Sequence, residues 1–267
     1  MNRTLTTKNV FGIVILSVFS ALVVGTVIAS VGIIYSPEKD NQATSFLALF
    51  IGQGFMIVPL FLFLKARKES FVDRLRLKRL STPIILATFV LSLGIIIAVD
   101  EFDRIASLFF SPPEYLDQLG YMLKFDSFNM AVFLIFGIVI LAPLGEELLF
   151  RGFLQKFLEE HWQDVTRAVL ITSLFFAIIH LNPFWLIQIY LLGVLLGYLA
   201  WRTGSIWSSF ILHAANNLMA LLFTNYDQTL DGFYTWHGHV APWILLIGAG
   251  CLYFGFNRLH SLTKERT

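Results

Sequence analysis

Charge is scarce in this chain. Asp, Glu, Lys and Arg make up 14% of its 267 residues, against about a quarter in an ordinary soluble domain. That shortage excludes a disordered chain, a basic nucleic-acid-binding domain and an ordinary soluble enzyme. Cysteine is scarcer still. Cys251 stands alone inside an apolar run, so no intramolecular disulfide and no cysteine-based zinc site can form. Net charge is +1 and names no partner. The pattern shows no internal repeat, no low-complexity tract and no appended soluble domain, and it reads as one integral membrane domain over residues 1–267. What is abundant is apolar: 57% of residues are hydrophobic and the mean hydropathy is +0.72.

A helix crossing a bilayer needs ~20 consecutive apolar residues. Eight runs qualify as candidates: Val10 to Ile34, Phe46 to Leu64, Ile84 to Val99, a fourth from Asn129, then Ala168 to Leu181, Phe184 to Trp201, Ile206 to Phe223 and Ala241 to Phe256. The first is too long for a secretory signal core, and no small-residue cleavage site clearly follows it, so it reads as a retained helix. Orientation follows from Lys and Arg, which accumulate on the cytoplasmic side. Seven of them fall between Lys65 and Arg79. With that loop inside and the spans alternating, 16 of the 19 basic residues become cytoplasmic, leaving Lys39, Arg104 and Lys124 outside. The expected fold is an all-α, polytopic bundle of about eight transmembrane helices with both termini cytoplasmic.

Charged side chains inside a span are costly and mark functional sites. The fourth run reads on through Pro143-Leu-Gly145 into Glu146-Glu147-Leu-Leu-Phe-Arg151, and apolar character then resumes. The acids and the arginine therefore lie within one long helix. Glu147 precedes Arg151 by four residues, the favourable order for a helical ion pair. Glu146 points about 100° away from that pair and lacks a local partner, as a proton-carrying carboxyl would. Two further helices carry polar groups at depth, through Phe176-x-x-x-His180 and His213-x-x-x-Asn217. At ~1.5 Å of rise per residue, Glu146, His180, His213 and Asn217 lie ~18, ~22, ~14 and ~20 Å from the cytoplasmic ends of their helices. One slab of membrane thus holds a carboxyl, two imidazoles and an amide.

In order and spacing, Glu146-Glu147-x-x-x-Arg151, Phe176-x-x-x-His180 and His213-x-x-x-Asn217 resemble the three motifs of the CPBP family. That family groups CAAX prenyl proteases of the Rce1 type with bacteriocin-processing and self-immunity membrane proteins. The resemblance covers Pro143 to Met219, a motif region of residues 143–219, together with the eight-helix layout. It implies an intramembrane endopeptidase acting on a membrane-associated or leader-type peptide. Carried over by position, Glu146 activates a water, His180 helps to hold it, His213 and Asn217 stabilise the oxyanion, and Glu147, Arg151 and Phe176 support the site. No cofactor is expected in this version. The alternative is zinc held by Glu146, His180 and His213, with an open fourth position.

Two other classes of function compete. A non-catalytic self-immunity or peptide-binding protein could use the same fold, although no motif residue is missing. A proton-coupled carrier could also use intramembrane acids and histidines, but no inverted repeat or pair of broken helices is visible. The expected partners are a peptide or membrane-protein substrate and the lipid bilayer, with no nucleic acid. The compact layout reads as a multi-pass protein of a prokaryotic cell membrane.

Overall fold

The computed structural model describes residues 5–35, 42–125 and 127–264. Arg3, Lys39 and Arg266, which enter the charge asymmetry, lie outside the described residues. In chain order the helices are α1 (Thr7–Tyr35), α2 (Gln42–Ala66), the short α3 (Phe71–Arg74), α4 (Thr82–Ser107), α5 (Tyr115–Met122), α6 (Phe128–Trp162), α7 (Val165–Ile179), α8 (Leu186–Thr203), α9 (Ile206–Tyr234) and α10 (Pro242–Leu262). A two-stranded antiparallel hairpin, β1 (Thr235–Trp236) and β2 (His239–Val240), joins the last two.

The architecture is a polytopic helical bundle. Each of the eight apolar runs falls on a helix, and six of those helices are long and apolar enough to cross a membrane. The remaining two differ for separate reasons. Helix α7 has 15 residues, or ~22 Å of axis, short of a ~30 Å hydrocarbon core. Helix α10 has 21 residues but carries Asn257, Arg258 and His260 towards its end. The third run also continues past its expected end at Val99 to Ser107. The polar residues there remain helical, with Arg104 Nε donating to Asp100 Oδ2 one turn away at 2.9 Å. Ile15, Phe19, Val27, Leu246 and Phe254 are among the apolar side chains left exposed along α1 and α10. A bare apolar surface of that extent is the face of a protein that sits in lipid.

Helix α6 runs through the middle. It packs on α2, α7, α8 and α9, while α1 lies along α2 and α10 along α4. The basic segment after α2 is tied to its far end by ion pairs. Glu69 accepts from Arg67 and Arg74 at 2.6 and 2.7 Å, Arg74 reaches Glu160 at 3.0 Å, and Arg76 pairs with Glu159. In this way six charged groups form the network that fixes the loop against α6.

The backbone of α6 is not uniform. Two wide turns, Ile135–Leu141 and Leu148–Gln155, are π-helical and flank an α-helical turn, Ala142–Glu147. Pro143 accounts for the local break. In the π register Ala142 N–H donates to Gly137 O, five residues back. The next donor in that register belongs to residue 143, which is proline and has none. The carbonyl of Ile138 is therefore left without a helical partner, and this happens one turn before the two glutamates.

Candidate active site

Glu146 and Glu147 sit on the short α-turn between the two π segments, both buried. Adjacent positions on a helix point about 100° apart, so the two acids address different neighbours. Glu147 Oε1 lies 3.1 Å from Arg151 Nη1 and 2.9 Å from His213 Nδ1. Both members of the Glu147–Arg151 pair have no exposed side-chain surface. Arg151 also donates to the backbone carbonyl of Gly193 at 3.2 Å, and its guanidinium lies 4.0 Å from the centre of the Phe176 ring. That ring meets His180 at 4.7 Å and His213 at 5.6 Å, both edge to face. Phe176 is thus the apolar packing piece shared by the arginine and both histidines.

Glu146 faces the other way. Its Oε2 has no hydrogen-bond partner, and it lies 3.8 Å from His180 Nε2 and 3.7 Å from His213 Nε2. Each imidazole is held through its other nitrogen. His180 Nδ1 is 2.7 Å from the carbonyl oxygen of Phe176, and His213 Nδ1 points at Glu147. A carbonyl or carboxylate oxygen can only accept, so each Nδ1 carries a hydrogen. In the neutral ring each Nε2 then presents a lone pair toward Glu146.

His180 does not lie within a helical span. Helix α7 ends at Ile179, His180 follows as its cap, and Leu181 adopts a left-handed φ of 51°. Non-helical backbone at membrane depth is tolerated where it is buried or lines a polar cavity. A cavity of about 330 Å³ lies here, lined by His180, His213, Asn217, Asp100 and Asp103 among others. Asn217, one turn beyond His213 on α9, uses its amide differently from the expected oxyanion donor. Its Nδ2 donates to the Ile138 carbonyl at 3.0 Å, the acceptor freed by Pro143. One hydrogen of that amide is thereby committed to holding α9 on α6.

Some contributors escaped the sequence reading. Gly193 and Gly197 bring α8 close to α7 and α6, and their carbonyls accept from Arg151 and Gln155 of α6. Their spacing of four, a small-residue pattern typical of close helix contacts, was the available signal. Asp100 and Asp103 reach the cavity from α4 because that helix extends beyond Val99. His239, on the hairpin, is tied to Glu101 of α4 at 2.8 Å. Among the described residues, no group of three or more His, Cys, Asp or Glu side chains is arranged to hold a metal ion.

Comparison with known proteins fits this geometry. Residues 128–219 match the family described as type II CAAX prenyl endopeptidase Rce1-like. Over 99 residues, 37% of this chain, the sequence is 32% identical to the UPF0177 protein YbdI of Lactococcus lactis subsp. lactis (strain IL1403). The match covers 52% of that protein, so the chain spans about half the length of the curated relative it matches. No solved structure matches. The matched segment takes in α6, α7, α8 and the first half of α9, and with them every motif residue.

Proposed function

We propose that this Rce1-like chain is an intramembrane endopeptidase that hydrolyses a peptide bond in a membrane-associated or leader-type peptide, using water activated by Glu146 and no metal. The observation that carries the proposal is the approach of Glu146 Oε2 to two imidazole Nε2 atoms at 3.7 and 3.8 Å. Those separations are too long for direct hydrogen bonds. They are short enough for one water to touch all three groups.

The chemistry follows from the acceptors. A water among Glu146, His180 and His213 donates its two hydrogens to two of them. Glu146 takes one proton as the water oxygen bonds to the substrate carbonyl carbon, and the carbonyl oxygen becomes an oxyanion. The carbon–nitrogen bond then breaks, and Glu146 returns the proton to the leaving nitrogen. Oxyanion stabilisation needs a donor. His213 Nε2 supplies one only when its ring carries a second proton, and the Glu147 carboxylate at Nδ1 holds the ring so that Nε2 faces Glu146. Asn217, which also lines the cavity, keeps a second amide hydrogen beyond the one given to Ile138. The bare apolar surface and the bacterial relative support a place in a prokaryotic cell membrane.

The test is Glu146→Gln. Cleavage of a quenched-fluorescent peptide pool by purified protein in detergent micelles should fall by roughly 10²–10⁴-fold, with the thermal unfolding midpoint unchanged. A fully active Glu146→Gln protein overturns the proposal, and peptide binding that survives without cleavage points to the immunity reading. Exhaustive chelation with metal readback tests the metal-free form. Activity that disappears with the metal and returns with zinc would replace that form with the zinc version.

A further inference from the structure

Some of the basic residues at the loop end of the bundle are paired and others are not. Arg67, Arg74, Arg76 and Lys156 are engaged with Glu69, Glu159 or Glu160. Among the described residues, the side chains of Lys78, Arg79 and Arg258 enter no ion pair, and Lys78, Arg79 and Arg258 are all exposed. Of these, Arg258 lines an apolar groove between α4 and α10, and Lys78 and Arg79 stand four and three residues before Thr82, the first of its lining residues in the chain.

Glycine explains where the groove begins. At Gly255 an added Cβ would stand 2.6 Å from Leu91 N, and at Gly94 it would stand 2.7 Å from Gly248 O. The two helices touch backbone to backbone at these points. Toward the start of α4 they leave a cleft of about 440 Å³, with Thr82, Pro83, Leu86, Val90, Phe254 and Arg258 in its walls. Arg258 lies one turn after Phe254, on the same helical face. Arg79 precedes Thr82 by three residues, within ~11 Å of extended chain. Leu86 and Phe254 are 60% and 68% exposed, which is unusual for large apolar walls unless lipid covers them.

We infer that this groove binds one anionic phospholipid of the leaflet at the basic end, with its phosphate at Arg258, Arg79 and Lys78 and an acyl chain along Leu86, Val90 and Phe254. Length selects a lipid over a partner helix. From Thr82 to Val90 is eight residues, or ~12 Å of helix axis, which fits one leaflet of a ~30 Å core and not its whole depth. Charge selects the headgroup, because Arg258 in the wall and the unpaired Arg79 and Lys78 just before Thr82 suit a phosphodiester without a balancing choline. The inference does not depend on the proposed peptidase activity.

Phosphatidylglycerol is titrated into purified protein in phosphatidylcholine mixed micelles, with thermal midpoint and lipid adducts in native mass spectra as readouts. Phosphatidylglycerol should raise the midpoint, and phosphatidylcholine alone should not. The variant Lys78→Ala/Arg79→Ala/Arg258→Ala should need roughly a hundredfold more lipid, at about fivefold per cation. Leu86→Trp, which fills the groove and keeps every charge, should also abolish the adduct, and it decides the matter if the triple variant does not fold. Lys65→Ala/Lys68→Ala should respond as the unmodified protein does. An undiminished response in the groove or triple variant overturns the site. So does an equal loss in Lys65→Ala/Lys68→Ala, or an equal shift from glycerol phosphate alone.

Discussion

Replacing Arg151 with Met strips Glu147 of the guanidinium that lies 3.1 Å from its Oε1. Neither side chain has exposed surface, so water cannot take the place of the lost partner. Breaking a buried pair from one side costs about 3–5 kcal/mol. The contact with Phe176 at 4.0 Å is lost as well and places the cost toward the upper end. At about 2–4 °C per kcal/mol for a chain of this size, the unfolding midpoint should drop by roughly 6–20 °C. The double variant Glu147→Leu/Arg151→Met removes both charges together. Apolar residues of similar volume commonly match or exceed the stability of the pair they replace, so most of the midpoint should return. Catalysis should not return with it. His213 Nδ1 loses the acceptor at 2.9 Å that sets its tautomer and orientation, and activity should stay down by roughly 10²-fold or more. Tryptophan-fluorescence melts report the first quantity and quenched-peptide turnover the second. If the double variant is as active as the unmodified protein, Glu147 does not orient His213 for chemistry. If it is as unstable as Arg151→Met alone, the cost does not come from an orphaned charge.

Three other outcomes follow from the packing. Asn217→Ala leaves the Ile138 carbonyl unpaired and should cost about 1–3 kcal/mol in an unfolding titration; adding Pro143→Ala restores a backbone N–H and should recover much of it, whereas no recovery would mean that Asn217 is not standing in for that missing donor. Burial raises the pKa of the Glu69 carboxyl, but its contacts with Arg67 and Arg74 outweigh burial and hold it below the usual carboxylate value. A depressed folded-state pKa contributes stability that is present above the unfolded value and lost as pH falls through the folded one. The midpoints of unmodified protein and Glu69→Gln should therefore differ at neutral pH and converge below about pH 4, and an equal gap at both ends refutes the assignment. At Gly152 an added Cβ would stand 2.8 Å from the Leu75 carbonyl, so Gly152→Ala should destabilise by about 1–3 kcal/mol, and an unchanged melt would show that this contact yields freely.

Much of the bundle and of its polar centre was legible because lipid makes polar residues conspicuous. A charge or imidazole within an apolar run is rare enough to carry meaning alone, and Glu146, His180 and His213 stood out on that basis. Their rise-based depths spread over ~8 Å, yet their functional atoms come within 3.8 Å. Long side chains close that difference, and helix length alone does not encode it. The polar end of α4 was harder to place. Its ion pair between Asp100 and Arg104 is local and sustains the helix, but hydropathy registers only the charges and ends the run early. The early stop of α7 at Ile179 was also hidden, because Ile178, Ile179 and Leu181 are apolar on both sides of the break.

The two wide turns of α6 were the least legible feature, and they join the separate motifs into one device. Nothing in the composition of Ile135–Leu141 announces a π register. Pro143 announces only that one donor is missing. In an ordinary α register the orphaned acceptor would be the carbonyl four residues back, on Val139; in the π register it is five back, on Ile138. Asn217 donates to Ile138, so the position of that one amide depends on the register that α6 adopts. His213 lies on the same face of α9, one turn earlier, and α9 is a continuous helix between them. The amide that occupies the acceptor therefore also sets the rotation that carries His213 to both glutamates. On this argument Pro143 and Asn217 fix the register in which α9 meets α6, and the His213-x-x-x-Asn217 motif couples that contact to the placement of His213.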